Sequence, residues 1–587
     1  MSEPEKKSKF THEMRLLGAS LLSMLVILLW ARFFAQKPPI VPPQSNRPAQ
    51  TATPSPGNRA QPPSASTPLP QGSATAISAP PPTRVAPKSD TQERTITVEN
   101  DLYRVEFSNH GAVVKSWQLK KYLDDAKPQR VLDVVHPEAA QQTDGWPFAL
   151  VLDDDQLTSA VNNGLYQISS PTNSLNAPAD LEFSWSDGHV EVTKRFHFDH
   201  TYVVRVETSA KLNGVPVTAA LAWLGGFGDL TVANPAPIDT VSTFFSENNK
   251  LTDIAAKKLE GPEKWANGVW QGGKDWTGIE DRYFTAAFLA PSGAAADMLE
   301  TRYWRVSRTV QVEGKDTQEP VPQVATATSA QPMALRVYVG PKDYDDLKKM
   351  NPPLHALVNF GWLEFIADPL FHGLKWLHGY VPNWGWAIVI LTLVVNMLFF
   401  PLRISSYKTT MKMQRVAPEI KQIQEKYKKY SMRDPRKAEM NKEVMAVYSR
   451  EGINPVGGCF QMFLQMPIWF GLNTTLRYAI ELRHAPWFWW IKDLSGKDPY
   501  YVLPITMGLS MYLVSKITPM TSTDPQQQMM MKIMPVTMAG IFMISPISSG
   551  LAVYILTSSL VGIVQQVWLN RAHPVTAPAK PVKGKKS

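Results

Sequence analysis

The stretch Asn454–Leu472 constrains the fold of this chain more than any other. It opens with turn residues and then continues as an apolar run to Tyr478. A helix of this length and apolarity is typical of a membrane span rather than of an amphipathic surface helix. Gln461 and Gln465 lie four residues apart on one face of that helix. Because an amide facing lipid is costly unless it has a partner, we expect both side chains to face protein or enclosed water.

Further apolar segments predict six membrane crossings. The first belongs to an N-terminal anchor, residues 1–35, which lacks a well-formed signal-peptide cleavage site. The other five predicted spans are 385–402, 457–480, 501–516, 533–549 and 550–569. Six crossings put both termini on one side, and basic segments beside the spans indicate that this side is the cytoplasm. The chain is therefore predicted to be a polytopic α-helical membrane protein with a cytoplasmic N-terminus and C-terminus.

Two segments hold the positive charge, although the formal net charge of the whole chain is only +9. Residues 405–456 contain 12 Lys/Arg against 6 Asp/Glu, and the tail 572–587 is basic and has no acid. No predicted folded domain carries the surplus, which argues against DNA as a partner. Apolar residues keep helical register within 405–456 and predict a cytoplasmic antiparallel helical hairpin, with Pro418 in a first turn. Those residues are Val416, Ile420, Ile423, Tyr427, Met440, Val444 and Val447.

The segment between the predicted anchor and the second predicted span differs in composition from both. Residues 36–92 are rich in Pro, Ala and Ser and predict a disordered periplasmic linker. Residues 93–345 alternate apolar and polar side chains between Gly, Asp and Asn turns, which predicts a large all-β sandwich domain in the periplasm. The single cysteine, Cys459, allows no intramolecular disulfide. His189, Glu191, His197 and His200 suggest a metal or sugar site, but a His-x-x-His pair on a strand points to opposite faces, which favours structural roles.

Residues 351–380 predict an amphipathic helix lying in the outer interface, broken in two at Asp368-Pro369. Trp384 and Trp386 mark the interface where the next span begins.

Polar residues recur along three of the predicted spans. One such residue is usually a helix–helix hydrogen bond, whereas stripes on several helices favour a shared hydrated cavity. The candidate lining residues are Thr392, Asn396, Arg403, Gln461, Gln465, Tyr554, Ser558 and Gln565.

Three motifs carry a resemblance to a known family. NPVGGCFQMFLQMPIWFGL, ELRHAPWFWWIKDLSGKDPYYVLPI and SGLAVYILTSSLVGIVQQ resemble the YidC-type membrane protein insertases, and the likeness covers Leu354–Arg571. The resemblance implies an inner-membrane insertase and chaperone that is not an enzyme and needs no cofactor or metal. It implies a five-helix core, 384–571, with a hydrophilic groove open to cytoplasm and lipid. The implied partners are nascent integral membrane proteins, the Sec translocon, the lipid bilayer, and the ribosome through the hairpin and the basic tail.

The sequence departs from that family at one position of the groove. Asn396 stands where members usually carry an arginine, five residues before Pro401-Leu402. Arg403 is a candidate for replacing that charge, with Arg477 as a second, although Arg403 could also be an interfacial anchor. A smaller departure is Ile555, where members often have tyrosine.

Two other functions remain open from the residues alone. A polytopic transporter with a periplasmic sensing domain would show internal repeats and broken helices in matching halves, and the sequence shows neither. A membrane-tethered carbohydrate-binding or carbohydrate-processing protein would need paired carboxylates in a cleft of the β domain and would lose function without that domain.

Overall fold

The structure is a computed structural model. It describes residues 86–229, 231, 241–248, 250–261, 270–291, 299–312, 315–330, 332–358, 360, 363–430, 434–454, 457–518, 533, 537–543 and 547–573, with the side chains of 312 and 457–464 outside the description. The predicted anchor, nearly all of the predicted linker, part of the predicted span 533–549 and almost all of the basic tail therefore lie outside the described residues.

The first part of the described chain is built from strands and two short helices, α1 Pro137–Gln142 and α2 Asp155–Asn163. In chain order the strands are β1 Thr95–Glu99, β2 Tyr103–Ser108, β3 Val113–Leu123, β4 Val131–Asp133, β5 Ala149–Val151, β6 Gln167–Ile168, β7 Ser174–Asn176, β8 Ala179–Ser186, β9 Val190–Phe198, β10 Val203–Leu212, β11 Val215–Pro216, β12 Ala220–Trp223, β13 Ser242–Glu247, β14 Lys250–Ala255, β15 Gln271–Lys274, β16 Trp276–Glu280, β17 Phe284–Leu289, β18 Leu299–Val312, β19 Lys315–Ala327 and β20 Met333–Pro341.

These strands form three sheets in the described residues. Their orders are β4-β3-β2-β1-β7, then β14-β13-β16-β17-β20-β10-β9-β8-β6 with β11 beside β10, and β15-β18-β19-β12-β5. The pairing of β1 with β7 is parallel, whereas neighbours such as β9 and β10 are antiparallel. The predicted β domain is thus observed, and consecutive strands account for most of its pairs.

The three sheets meet in one aromatic core. Phe148 lies at their junction, with ring centroids 6.0 Å from Trp117, 5.6 Å from Phe196 and 6.0 Å from Trp223. Every second side chain of β9 is buried, as the pleat of a strand requires, but one of those inward positions is Lys194. Its Nζ donates to three backbone carbonyls, those of residues 111, 112 and 148, which satisfies its hydrogen-bond donors inside the core.

The second part of the described chain is helical. Its helices are α3 Tyr344–Lys349, α4 Glu364–Tyr380, α5 Trp384–Leu398, α6 Phe400–Lys426, α7 Arg436–Arg450, α8 Gly457–Tyr478, α9 Val502–Ile517 and α10 Ser549–Ala572, with further helical residues at 537–543. Short 3-10 turns occupy Ala256–Lys258, His355–Leu357 and Ile480–Leu482. Among the described residues, α10 alone is long and apolar enough to cross a membrane by itself; α5 and α6 pass the same test together but are bent by 53°. Helix α9 is apolar and shorter.

Helix α4 corrects one prediction, because it runs through Pro369 without a break. A proline inside a helix removes one hydrogen bond, and here the carbonyl that loses its partner belongs to the exposed Phe365. The opposite face buries Ala367, Phe371 and Leu374 against neighbouring elements, and this packing keeps the helix continuous.

The hairpin also differs from its prediction. Its first helix begins at Phe400 rather than near Ser405, so Pro418 lies deep inside α6 and not in a first turn. The bend between α5 and α6 explains the shift, since Pro401 stands in the first turn of α6, where a proline is well tolerated. Helices α6 and α7 run antiparallel, as the ion pair of Glu419 with Arg450 indicates.

The β part and the helical part share packing and ion pairs. One buried cluster joins Phe244 and Tyr338 of the sheets to Leu357 and Leu476 of the helical part. The guanidinium of Arg483, which follows α8, lies 2.6 Å from a carboxylate oxygen of Asp229 in the β part. Within the helical part, Lys375 of α4 pairs with Asp345 of α3 at 2.6 Å and with Glu481 at 3.0 Å.

Candidate functional site

A cavity of about 720 Å³ lies between α5, α6, α8, α9 and α10. Its lining residues are Asn396 of α5, Arg403, Ser406, Tyr407 and Thr410 of α6, Gln465, Met466 and Trp469 of α8, Met511 and Val514 of α9, Thr518 after it, and Tyr554, Ile555, Ser558, Ser559, Gly562 and Gln566 of α10. Outside the cavity, α5 and α10 expose large apolar side chains such as Met397, Leu398 and Val564. The helices therefore turn a set of polar groups toward the cavity, beside apolar ones such as Met511 and Ile555, and keep large apolar side chains on the outside, as expected for a hydrated space within a membrane.

Arg403 supplies a cation to the cavity wall. Its Nη1 donates to Oε1 of Gln565 at 2.8 Å, and its Nη2 donates to the carbonyl of Gly562 at 3.3 Å. The guanidinium lies directly over Gly562, where a built Cβ would be in van der Waals contact with Nη1 at 3.4 Å. In the part of the chain that the structure describes, Arg403 forms no ion pair with a carboxylate. Its charge therefore faces the cavity without an anionic partner from the described residues.

Asn396, seven residues before Arg403, links α5 to α10 through hydrogen bonds. Its Nδ2 donates to the carbonyl of Thr392 at 2.8 Å and lies 3.4 Å from Oγ of Ser558. The backbone carbonyl of Asn396 accepts from Nε2 of Gln565 at 3.4 Å. Gln565 thus bridges Arg403 and Asn396 from behind the wall, where it is buried.

The opposite wall is less polar. The side chains of Gln465 and Tyr554 are in contact across the space between α8 and α10. Met466 and Trp469 beside Gln465 add an apolar surface. The side chain of Gln461 lies outside the described residues.

A second hydrogen-bonded layer lies beyond Arg403 along α6. The hydroxyl of Tyr407 donates to Oδ1 of Asn570 at 2.9 Å, and Nε2 of Gln566 donates to the same oxygen at 3.0 Å. Nδ2 of Asn570 in turn donates to the carbonyl of Ile517 at 3.0 Å. This layer connects α6, α9 and α10 at the end of the cavity nearer the hairpin.

Most of the residues predicted to line a cavity lie at its wall in the structure. Asn396, Arg403, Gln465, Tyr554 and Ser558 line the cavity, whereas Gln565 supports the wall from behind. Thr392 is not among the lining residues: it is buried, and its hydroxyl donates back to the carbonyl of Ile388 at 2.7 Å.

Several lining residues were missed by sequence reasoning. Tyr407 and Thr410 follow Arg403 by four and seven residues, so the helical spacing that connects Asn396 with Arg403 extends to them. Trp469 and Gln566 carried no comparable signal. Arg477, the second candidate for a groove cation, is not among the lining residues, and its backbone carbonyl accepts from Nε of Arg282 in the β part.

The histidines of the β part do not gather into a site. His197 contacts Asp180 at 2.6 Å, whereas Nδ1 of His189 lies 3.3 Å from Oδ1 of Asn213. Glu191 pairs instead with two lysines.

A different group, made of Asp125, His484 and Asp493, has the residue types and spacing of a metal site within the described chain. Its members already bond to protein groups: His484 contacts Asp125 at 2.5 Å, and Oδ1 of Asp493 accepts from the backbone N–H groups of His484 and Ser495. These hydrogen bonds account for the cluster as a structural link between the β part and the loop after α8.

Comparison with known proteins supplies the decisive observation. Residues 95–373 match the family described as YidC periplasmic domain, and residues 376–576 match the 60Kd inner membrane protein family. The membrane protein insertase YidC of Geobacter metallireducens is 33% identical over 511 residues, covering 86% of this chain and 90% of the relative. That of Syntrophus aciditrophicus is 32% identical over 568 residues, covering 94% of this chain and 98% of the relative. This chain belongs to the YidC family of membrane protein insertases.

Membership confirms the resemblance drawn from the three motifs. The match to the YidC periplasmic domain takes in the β part together with α3 and the first half of α4, whereas α5 and the helices after it fall in the match to the 60Kd inner membrane protein. A solved structure of an active YidC insertase with its first transmembrane domain resolved is 16% identical, with a TM-score of 0.33 over 82% of this chain and 94% of that chain.

Proposed function

We propose that the cavity between α5, α6, α8, α9 and α10 is a groove that receives the polar segment of a membrane protein during its insertion. One observation carries the proposal: α5, α6, α8 and α10 turn polar side chains toward a cavity of about 720 Å³, which α9 closes with Met511 and Val514, while the outer faces of α5 and α10 are apolar. A polar segment entering such a space exchanges water for side-chain amides and hydroxyls and avoids unpaired burial in lipid.

The energetic balance supports insertion without a nucleotide. Moving about 20 apolar client residues from water into lipid is strongly favourable, at roughly 25 cal/mol per Å² of apolar surface. The unfavourable part is the transfer of the polar flank, and the groove lowers that cost locally. Arg403 gives the groove a positive charge, so clients whose polar segment is acidic gain an additional attraction.

The finer topology belongs to the same proposal. We infer six crossings with both termini in the cytoplasm, the α6–α7 hairpin on the cytoplasmic side, and the division into anchor 1–35, linker 36–92, β domain 93–345, interfacial segment 351–380, core 384–571 and tail 572–587. The basic charge of the hairpin and the tail supports this orientation. Contacts with the Sec translocon, and with the ribosome through the hairpin and the tail, are part of this inference.

Site-specific photo-crosslinking to a stalled nascent membrane protein tests the groove. A reagent at Gln465 or Ser558 is expected to crosslink to the polar segment of the client. Leu560 is the matched control, because it is on the same helix as Ser558 but on its exposed face. A reagent there is expected to reach lipid and the apolar part of the client only. Crosslinks to the polar segment from Leu560, with none from Gln465 and Ser558, would contradict the proposal.

A further inference from the structure

The segment between α8 and α9 contains an unusual set of exposed aromatic residues. Residues 486–501, the aromatic loop, hold Trp487, Phe488, Trp489, Trp490, Tyr500 and Tyr501. Three of these are largely exposed, at 53% for Phe488, 80% for Trp489 and 68% for Tyr500. A group of large apolar side chains in the open marks a surface that meets something other than water.

The exposure is a property of an ordered loop. Ile491 and Leu494 are buried and anchor the middle of the segment. The buried carboxylate of Asp498 accepts from Nε1 of Trp490 at 3.1 Å and from the backbone N–H of Leu503 at 2.6 Å. Asp493 fixes the other half, since its Oδ1 accepts from two backbone N–H groups. The exposed rings are therefore held outward by a fixed framework.

The charges of the loop are segregated. Its two carboxylates, Asp493 and Asp498, accept from backbone N–H groups of the loop itself, those of Ser495 and Tyr500. Its two lysines, Lys492 and Lys497, are exposed, and Nζ of Lys497 donates to the hydroxyl of Tyr501 at 3.1 Å. The outward surface thus combines aromatic rings with positive charge only, which is the chemistry that suits the phosphate and glycerol layer of a membrane.

The loop is continuous with the apolar surface of the helices beside it. At one end it leads into α9, whose exposed side chains Val502, Ile505, Leu509 and Leu513 recur at helical spacing. At the other end it packs on the first turn of α5, where Nδ2 of Asn383 donates to the carbonyl of Trp487 at 3.2 Å. Trp487 lies so close to Gly385 that a Cβ there would collide with its ring. The exposed rings consequently lie at the level where the apolar helices end.

We propose that the aromatic loop is a phospholipid-binding anchor in the leaflet facing the β part. Phe488, Trp489 and Tyr500 enter that leaflet at headgroup depth, and Lys492 and Lys497 contact lipid phosphates. The partner is lipid because the exposed surface extends without interruption into the apolar face of α9.

Depth-dependent quenching tests the proposal in the full chain. Replacing the single cysteine by Cys459→Ser allows one fluorophore to be attached at Trp489→Cys in proteoliposomes. Lipids carrying a nitroxide at the headgroup are expected to quench that fluorophore several-fold more than lipids labelled near the chain end. The control is Val215→Cys, an exposed site on β11 of the β part, where no lipid quenching is expected. Equal, weak quenching at both sites would overturn the anchor, as would protection of residue 489 by an added protein partner in place of lipid.

The lysines are tested separately. In the parent protein, quenching at residue 489 is expected to increase when phosphatidylglycerol is added to zwitterionic vesicles. In the double variant Lys492→Gln, Lys497→Gln, quenching is expected to remain in zwitterionic vesicles but not to increase with phosphatidylglycerol. If the double variant responds to phosphatidylglycerol like the parent, the lysines have no part in lipid binding and the phosphate contact is refuted.

Discussion

Replacing Arg403 by alanine removes the cation from the groove and is the sharpest test of how the groove selects clients. At about 6 Å and an effective dielectric constant of about 20, the attraction between a guanidinium and a client carboxylate is roughly 3 kcal/mol. Greater hydration would halve that value. Since about 1.4 kcal/mol corresponds to a factor of ten, we expect Arg403→Ala to lower insertion of an acidic client roughly 10- to 100-fold.

The side effects of the substitution are small by comparison. Alanine deprives Oε1 of Gln565 of its 2.8 Å donor, which costs about 1 kcal/mol where water from the cavity can replace the guanidinium. Arg403→Lys keeps the charge but not the two-pronged contact with Gln565 and Gly562, so it is expected to retain activity within a few-fold. The assay is protease protection of a client inserted into proteoliposomes, with aspartate or asparagine in its polar segment.

The client pair separates charge from structure. A loss confined to the aspartate client supports the electrostatic role of Arg403. An equal loss for both clients indicates a structural role, and full activity of both Arg403→Ala and Arg403→Lys with the aspartate client would refute the reasoning.

Three further predictions concern stability and are read from thermal or urea unfolding of the full chain. Burial lowers the pKa of His136 to about 4 from 6.5, so its stabilising effect is complete above pH 6.5 and is lost as the pH falls. His136→Gln is expected to reduce the difference in stability between pH 7 and pH 4 by about 3 kcal/mol, and an unchanged difference would contradict this. Arg483→Ala leaves Asp229 buried without its partner and is expected to cost about 3 kcal/mol, with Arg483→Lys less harmful. Gly508→Ala would place a Cβ 2.4 Å from the Cβ of Ala539 and is expected to lower stability by about 1–3 kcal/mol. Gly540→Ala is the control and is expected to cause no such loss, because nothing lies within 4 Å of the added Cβ.

The division into a β part and a helical part followed from local sequence patterns. Alternation with period two and apolar helical runs depend on residues that are close in the chain, and these patterns correctly predicted which part of the chain forms strands and which forms helices. The seven-residue spacing between Asn396 and Arg403 also predicted that both lie on one wall, and they do so although the chain bends between α5 and α6. The proline predictions failed for the opposite reason: at Pro369 and Pro418 the local preference is outweighed by packing of the buried faces of α4 and α6.

The sequence by itself determined which segments are apolar, which alternate, and which polar residues share a helical face, because each of these properties depends on neighbours along the chain. Only the tertiary structure decided which faces meet. Gln565 lies 162 residues from Arg403, yet it accepts the guanidinium hydrogen bond, and Lys194 finds three carbonyls inside a core that its strand pattern reserves for apolar residues. Such pairings depend on the crossing of distant elements, so no local spacing could specify them.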